Sequence, residues 1–380
     1  MKLVDQKKLS TTDHLDQFFD KVPDDKKDIT VHQLMTHTSG ISNGFGGDFD
    51  GTTKKQFLKT AFASKLILKP GEKYKYSNAG YSLLAAIIEK VSGMDYEEYL
   101  SQNIFKPAGL NHTGYLLPDW NEQPLAKQYW QGFIDRGTTI KRYLKDGEVS
   151  WHLLGNGGLA ATSEDLYKWL EALKTDKILS KAARDQIFTR HVDTGSKSDH
   201  HYGYGWGVRT GYEGKTRINH NGGNGIFYSG IAWYLNGDVT IIYSSNTSTS
   251  EWPTYQVDQM IFDPNYVPRA FTVSYHRLVY EYVLSYPLTR IDGLTEYFKD
   301  KTGETIKQPS LLNRVGIAFE EEGQYDTAIA LFKLNIELFP SDGNLWDSLG
   351  EGYLANGDKT QAIASYQKAL AIAPSEQCYW

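Results

Sequence analysis

The chain has 380 residues, 40 Lys+Arg against 46 Asp+Glu for a formal net charge of −6, and 40% hydrophobic residues. That length suits one large or two modest soluble domains, and an acidic balance with no basic stripe argues against a nucleic-acid partner. The lone cysteine, Cys378, excludes an intrachain disulfide framework and a cysteine zinc site, and no run approaches the roughly 18 apolar residues of a membrane span. Met1–Lys8 is basic without an apolar stretch behind it, so it is not read as a signal peptide. As it stands the chain reads as cytoplasmic, with a periplasmic or extracellular place left open for a longer parent.

Taken in order, residues 1–30 read as the end of a helix, a turn at Leu9–Asp13 and a short helix through Leu15, Phe18 and Phe19. A helix capped by Thr30 runs to His37 and stops at Gly40. His37 reads as a hydrogen-bonded buried histidine rather than an acid or base. Residues 42–56 are rich in Gly and Asp and form a loop, and Lys54–Leu66 is helical. Lys69-Pro-Gly-Glu-Lys-Tyr-Lys-Tyr-Ser-Asn-Ala-Gly-Tyr81 then turns at Pro-Gly and leads into an apolar helix over 81–92. Its centre, Tyr76-Ser77-Asn78, places a phenol beside an amide. A phenol oxygen accepts a nucleophile's proton when cations lower its pKa, and the amide can orient a substrate amide. A further helix spans Asp95–Ile104, and residues 113–155 carry Trp120, Tyr129, Trp130, Tyr143 and Trp151. Strand-like runs follow at Tyr204–Val208, Thr216–Asn219, Ile226–Leu235 and Val239–Ser245, with Asn236-Gly237 as a hairpin signal, and a helix is expected over 251–262.

The tail repeats itself. Gly316, Phe319, Gly323, Ala328, Phe332 and Pro340 recur 34 residues on as Gly350, Tyr353, Gly357, Ala362, Tyr366 and Pro374. That period with small and aromatic residues in these places is the tetratricopeptide pattern, a helix pair per unit. Such arrays dock peptides or proteins in a groove, and a stabilising appendage is the equal alternative.

The ordered set Ile29-Thr-Val, Leu34-Met-Thr-His-Thr-Ser-Gly40, Tyr76-Ser-Asn78, Gly157-Gly-Leu, Tyr202-Gly-Tyr-Gly-Trp206-Gly and His220-Asn-Gly222-Gly223 resembles the serine β-lactamase-related family of class C β-lactamases, D-alanyl-D-alanine peptidases and esterases, over roughly residues 1–262. The resemblance implies an α+β fold: a β-lactamase-like antiparallel sheet with flanking helices, N-terminally truncated, followed by the all-α repeat tail. The chain then divides into a β-lactamase-like domain at 1–265, a helical connector at 266–306 whose stretches 270–283 and 288–300 read as a third, degenerate repeat pair, and two repeats at 307–380. It implies hydrolysis of an ester, amide or other small substrate without a cofactor or metal. Tyr76 and His220 become the catalytic candidates, and Asn78, Asn221, Gly222, Gly223 and the lid residue Trp151 the substrate-binding ones. Gly223 would supply an oxyanion N–H.

The family's nucleophile is the serine of Ser-x-x-Lys. The one match in the chain is Ser365-Tyr-Gln-Lys368, inside the second repeat, where it reads as an exposed helical turn without a role. Met1–Ser10 resembles the end of the nucleophile helix and the turn after it, which implies that Ser-x-x-Lys and the family's first strands lie upstream of residue 1. Any activity then uses altered chemistry in the Tyr76, Asn78 and His220 cleft, and the sheet edge left open pairs with a second copy of the chain. The competing readings are a non-catalytic scaffold docking a partner through the repeats, and glycoside hydrolysis in an aromatic-lined cleft. Asp199-His200-His201 is adjacent in sequence, but neighbours in a strand face opposite ways, so no metal is expected there.

Overall fold

The computed structural model describes residues 1–373 except 119, 121–124, 131, 141–143, 146, 197–198, 236–238, 248–252 and 269–273. The Asn236-Gly237 turn, Tyr143, Pro374 and Cys378 therefore lie outside the described residues. The chain divides into two compact units, one of residues 1–128 and 136–268 and one of 129–135 and 269–380. Among the described residues no helix is long and apolar enough to cross a membrane.

The first unit begins with a single helical turn at Lys2–Asp5, short pieces, and a short helix, α1 (Val31–Met35). Thr30 caps it: its side chain accepts the Gln33 N–H, and the Gln33 side chain returns to the Thr30 N–H. The helix ends two residues earlier than its sequence suggests. His37 takes the left-handed conformation at φ 58°, which breaks the helix, so Gly40 is not its terminator. Gly40 answers a different constraint. Its φ is +74°, and a Cβ there would lie 2.1 Å from the Leu68 carbonyl oxygen, so the two backbone segments touch where a side chain cannot fit.

Helix α2 (Lys54–Ala63) leads to α3 (Asn78–Ser92), which the structure starts three residues earlier than Tyr81. Ser77 is the N-cap: its Oγ accepts the Gly80 N–H at 3.0 Å and donates to the Ser42 carbonyl at 2.8 Å. Gly93 closes the helix at φ +72°. Ala79, Leu83, Ala86 and Ile87 recur at helical spacing and are buried with Leu34, Ile41, Val208, Ile218 and Trp233. Burial of Leu83 or Ile87 contributes about 2–3 kcal/mol each. The Asp95–Ile104 helix breaks into an α turn at Tyr96–Leu100 and a π turn at Ser101–Phe105.

Helix α4 (Ser163–Leu173) precedes a six-stranded antiparallel sheet that runs in chain order: β1 (Val192–Asp193), β2 (His200–Tyr202), β3 (Gly207–Thr210), β4 (Thr216–Gly223), β5 (Tyr228–Tyr234) and β6 (Thr240–Ser245). Tyr204–Trp206, expected in a strand, instead forms the turn between β2 and β3, where Gly205 sits at φ +81°. Strand β4 runs out of the core: Arg217 and Ile218 are buried while Asn221, Gly222 and Gly223 are exposed. Its inner end is fixed by helix α5 (Pro253–Phe262). The buried Asp258 carboxylate pairs with the Arg217 guanidinium at 2.7 Å and accepts the Tyr234 hydroxyl at 3.1 Å. A buried ion pair of this kind is costly to half-remove, because the survivor is an unpaired charge.

The second unit is helical. Helices α6 (Tyr275–Ser285) and α7 (Leu294–Thr302) share a core with the pair α8 (Pro309–Glu321) and α9 (Tyr325–Leu338) and with α10 (Gly343–Ala355), which pairs in turn with α11 (Lys359–Ile372). Equivalent helices of the two pairs start 34 residues apart, at 309 and 343 and at 325 and 359. The recurrent residues meet in space. A Cβ on Gly316 would come 2.4 Å from the Phe332 ring, and one on Gly350 would come 2.6 Å from the Tyr366 ring. Each small residue on the first helix seats an aromatic ring of the second. Ser365 is buried rather than exposed, because it faces the helix packed beside α11, and its Oγ donates to the Gln361 carbonyl at 2.8 Å, so it is tied up within α11.

Gly350→Ala is expected to destabilise the chain by about 1–3 kcal/mol through overpacking. Trimming the ring in a Gly350→Ala, Tyr366→Leu double variant recovers part of that loss. Urea melts followed by circular dichroism measure both, and additive losses in the double variant would rule out the ring-on-glycine contact.

Candidate active site

Tyr76, Ser77 and Asn78 stand where the 69–77 loop meets α3. Each is placed by a different bond. Asn43 accepts twice from the start of the helix: its Oδ1 takes the Asn78 N–H at 3.2 Å and its carbonyl takes the Ala79 N–H at 3.0 Å. His37 secures the other side. Its carbonyl accepts the Lys75 N–H at 2.8 Å, and its Nδ1 accepts the Ser77 N–H at 3.0 Å. The two bonds bracket Tyr76.

An imidazole that accepts at Nδ1 and is uncharged carries its proton on Nε2. The His37 Nε2 is buried and meets no hydrogen-bond partner, facing instead a shell of rings. Ring centroids lie 4.1 Å away for Tyr76, 4.8 Å for Tyr81, 4.8 Å for Tyr202 and 5.8 Å for Tyr74. Burial, with the nearby His220 adding to it, pushes the imidazole down to about 3. His37 is therefore neutral at every physiological pH. The Tyr81 hydroxyl donates to the Met35 carbonyl at 2.8 Å, which joins α1 to α3 beneath the site.

A cavity of about 770 Å³ opens beside this shell. Tyr76, Asn78, His220, Asn221, Gly222 and Gly223 all line it, so the structure brings together six of the seven residues singled out in sequence. The outer half of β4 supplies its far wall. There Gly223 pairs with Tyr228, and a Cβ on Gly223 would come 2.6 Å from the Tyr228 ring and 2.7 Å from the Phe227 carbonyl oxygen. Any side chain at 223 collides with the neighbouring strand. Tyr202, at the end of β2, links the two walls, with its ring 6.5 Å from those of both Tyr76 and His220. Trp151 stands elsewhere. It lines a second cavity of about 860 Å³ with Lys54 and Glu89, which are ion-paired, and packs 6.3 Å from Phe57. Trp120 donates from Nε1 to the Tyr115 carbonyl at 2.8 Å, and Tyr129 and Trp130 fall in the second unit.

Burial raises the Tyr76 phenol above its ordinary value and lowers the His220 imidazole. At neutral pH the first is a proton donor and the second is uncharged. Among the described residues no lysine or arginine lines the cavity. The cation that would turn Tyr76 into a base is therefore not supplied by those residues. Asp199 is held by Arg190 at 2.9 Å and by the Thr210 hydroxyl, His200 lines the cavity, and no group of three metal-ligating side chains occurs among the described residues. Tyr202 and Asp48 are among the cavity residues without a role in the sequence reading. Tyr202 sat in a quoted motif without an assignment, and Asp48 sat in a Gly- and Asp-rich loop that carries no periodicity to mark it.

Comparison with known proteins now gives a frame for this geometry. A family model described as Beta-lactamase matches residues 1–261, and one described as Tetratricopeptide repeat matches residues 343–376. Penicillin-binding protein 4* of Bacillus subtilis (strain 168) is 28% identical over 234 residues, covering 57% of this chain and 51% of that protein. The chain thus spans about half the length of that relative. The octameric penicillin-binding protein homologue from Pyrococcus abyssi superposes with a TM-score of 0.57 at 26% identity, covering 69% of this chain and 61% of its own. EstCE1, a hydrolase with promiscuous acyltransferase activity, shares the fold at a TM-score of 0.52 and 19% identity, covering 65% and 76%.

The depressed His37 sets a pH dependence. Between its ordinary value near 6.5 and about 3, the unfolded chain binds a proton that the folded chain refuses. Stability is therefore full above about pH 6.5 and falls as the pH drops, by about 1.4 kcal/mol per unit for one proton. Asparagine tolerates the left-handed backbone at this position. His37→Asn is expected to lower stability at pH 7, and to flatten the loss between pH 6.5 and 4 by about one proton. Urea melts across that range test it, and equal slopes in both proteins would remove His37 as the source.

Proposed function

Because the chain belongs to the beta-lactamase family, we propose that the Tyr76–His220 cleft receives an ester or amide and promotes its hydrolysis. The observation that carries this reading is the convergence of a phenol, an amide and a glycine-edged strand on one cavity. Asn78 aligns the substrate's amide or ester group, and the bare edge at Gly222 and Gly223 lets its backbone approach. Tyr76, protonated at neutral pH, donates to the leaving group as the carbonyl carbon gains an oxygen from water and the C–O or C–N bond breaks. The phenolate left behind takes the proton shed by that water. Within residues 1–380 the sole Ser-x-x-Lys pair is Ser365–Lys368 in α11, so that pair takes no part in this scheme.

The second reading, binding without turnover, draws support from the same phenol: a Tyr76 with no adjacent cation among the described residues is a weak base. Glycoside hydrolysis has less behind it, since that chemistry uses two carboxylates flanking the bond, and Asp48 is the one carboxylate among the described cavity residues. The partner proposals rest on separate features. Peptide docking rests on the repeat match, and self-association rests on β6 as the outer strand of the sheet.

A panel of chromogenic esters and amides offered to the 380-residue chain and to its Tyr76→Phe variant is the test. The expected result is turnover that drops about a hundredfold or more in kcat in the variant, with KM little changed. Equal turnover in the two proteins would move the active site away from Tyr76. No turnover in either would leave the binding reading.

A further inference from the structure

The charge on the cavity wall reaches beyond the reaction to the kind of molecule the cleft accepts, an inference that rests on the acyl-hydrolysis reading above. Among the described residues, Asp48 is the one carboxylate on the wall and no lysine or arginine joins it. Burial raises its pKa, nearby His152 opposes that rise, and Asp50 adds to it. The two imidazoles on the wall, His200 and His220, are both depressed by burial. The remaining polar lining groups include phenols, amides and hydroxyls.

Asp48 is not on a loose loop tip. At one end of the segment, Ser42 and Asn43 accept from Ser77, Asn78 and Ala79 at 2.8–3.2 Å. At the other, Thr52 accepts the Trp151 N–H at 2.8 Å and donates its own N–H to the Ser150 Oγ at 3.3 Å. Between these anchors Asp50 serves the loop itself, its Oδ2 accepting the Gly47 N–H at 2.6 Å. A Cβ on Gly46 would come 2.6 Å from both Asp50 Oδ2 and His152 Nε2, so the turn closes tightly on those groups. The loop's other carboxylate, Asp48, is partly buried and lies on the cavity wall. The bonds that fix one end of the loop end on the same helix start that positions Asn78, so the Asp48 loop and Asn78 share an anchor.

We propose that Asp48 is a specificity-determining residue that selects acyl substrates bearing an ammonium group and disfavours those bearing a carboxylate. An ammonium in the cleft finds a carboxylate counter-ion with no competing cation among the described wall residues. A carboxylate finds one like charge and two neutral imidazoles. In a partly desolvated cleft, opposite and like charges several ångströms apart differ enough to separate affinities by about tenfold.

Three matched amides test this with the full 380-residue chain at pH 7.5: 5-aminopentanamide, hexanamide and the monoamide of glutaric acid. Calorimetry or ligand-observed NMR gives the three dissociation constants for the wild type and for Asp48→Asn and Asp48→Glu. The expected ratio is about tenfold in favour of the ammonium over the carboxylate in the wild type, about one in Asp48→Asn, and largely kept in Asp48→Glu. A structural role for Asp48 would shift all three probes together and leave the ratio alone. An unchanged ratio in Asp48→Asn, or a wild-type preference for the carboxylate, overturns the proposal and leaves the hydrolysis reading standing. Failure of every probe to bind the wild type, even at tens of millimolar, overturns both.

Discussion

Tyr76 sits between two hydrogen bonds that end on one residue, and the rest of the cleft depends on that bracket. The carbonyl and the imidazole of His37 hold the peptide groups on either side of it, so the phenol cannot shift without moving a buried ring. His37 itself is fixed by its left-handed backbone at the end of α1. The helix break that looks like a defect in α1 is what swings the imidazole under the Tyr76 loop. An uncharged imidazole is required, because a buried cation without a partner is expensive, and burial supplies that neutrality.

The same burial sets the electrostatics of the whole site. Desolvation raises Tyr76 and Tyr202 and lowers His37, His200 and His220. Each titratable ring is driven to its uncharged form, and Tyr202 packs between the loop wall and the strand wall as a neutral spacer. Against that background one carboxylate has unusual reach, because no lysine or arginine on the described wall offsets it. The Asp258–Arg217 pair under the sheet is the counterpart in the core, a charge spent on fixing β4 rather than on ligand.

The helical unit follows a simpler rule. A glycine on the first helix of each pair lets an aromatic ring of the second lie against bare backbone, at Gly316 with Phe332 and at Gly350 with Tyr366. The contact repeats because the sequence repeats, and the period fixes helix starts 34 residues apart.

Local chemistry wrote much of this into the sequence. The Thr30 cap, the apolar period of α3, the Gly93 stop and the repeat of the tail are each set by neighbours a few residues apart, and so is the family motif set that places Tyr76, Asn78 and His220. Other features were decided by segments distant in the chain. Helix α3 begins at Asn78 because its first N–H groups, at Asn78 and Ala79, find acceptors on Asn43, and the capping Ser77 is held by the Ser42 carbonyl 35 residues away. Trp151, grouped with the cleft in sequence, packs on Phe57 at a second cavity instead. Asp48 carries no periodic or motif signal, and it reaches the wall only because Asn43 and Thr52 are pinned by α3 and by residues 150–151. The sequence determined which groups can do chemistry, since that is a property of side chains and short spacing. Only the tertiary structure decided which of them share a wall and which are charged, because desolvation and long-range hydrogen bonds exist only once the chain is packed.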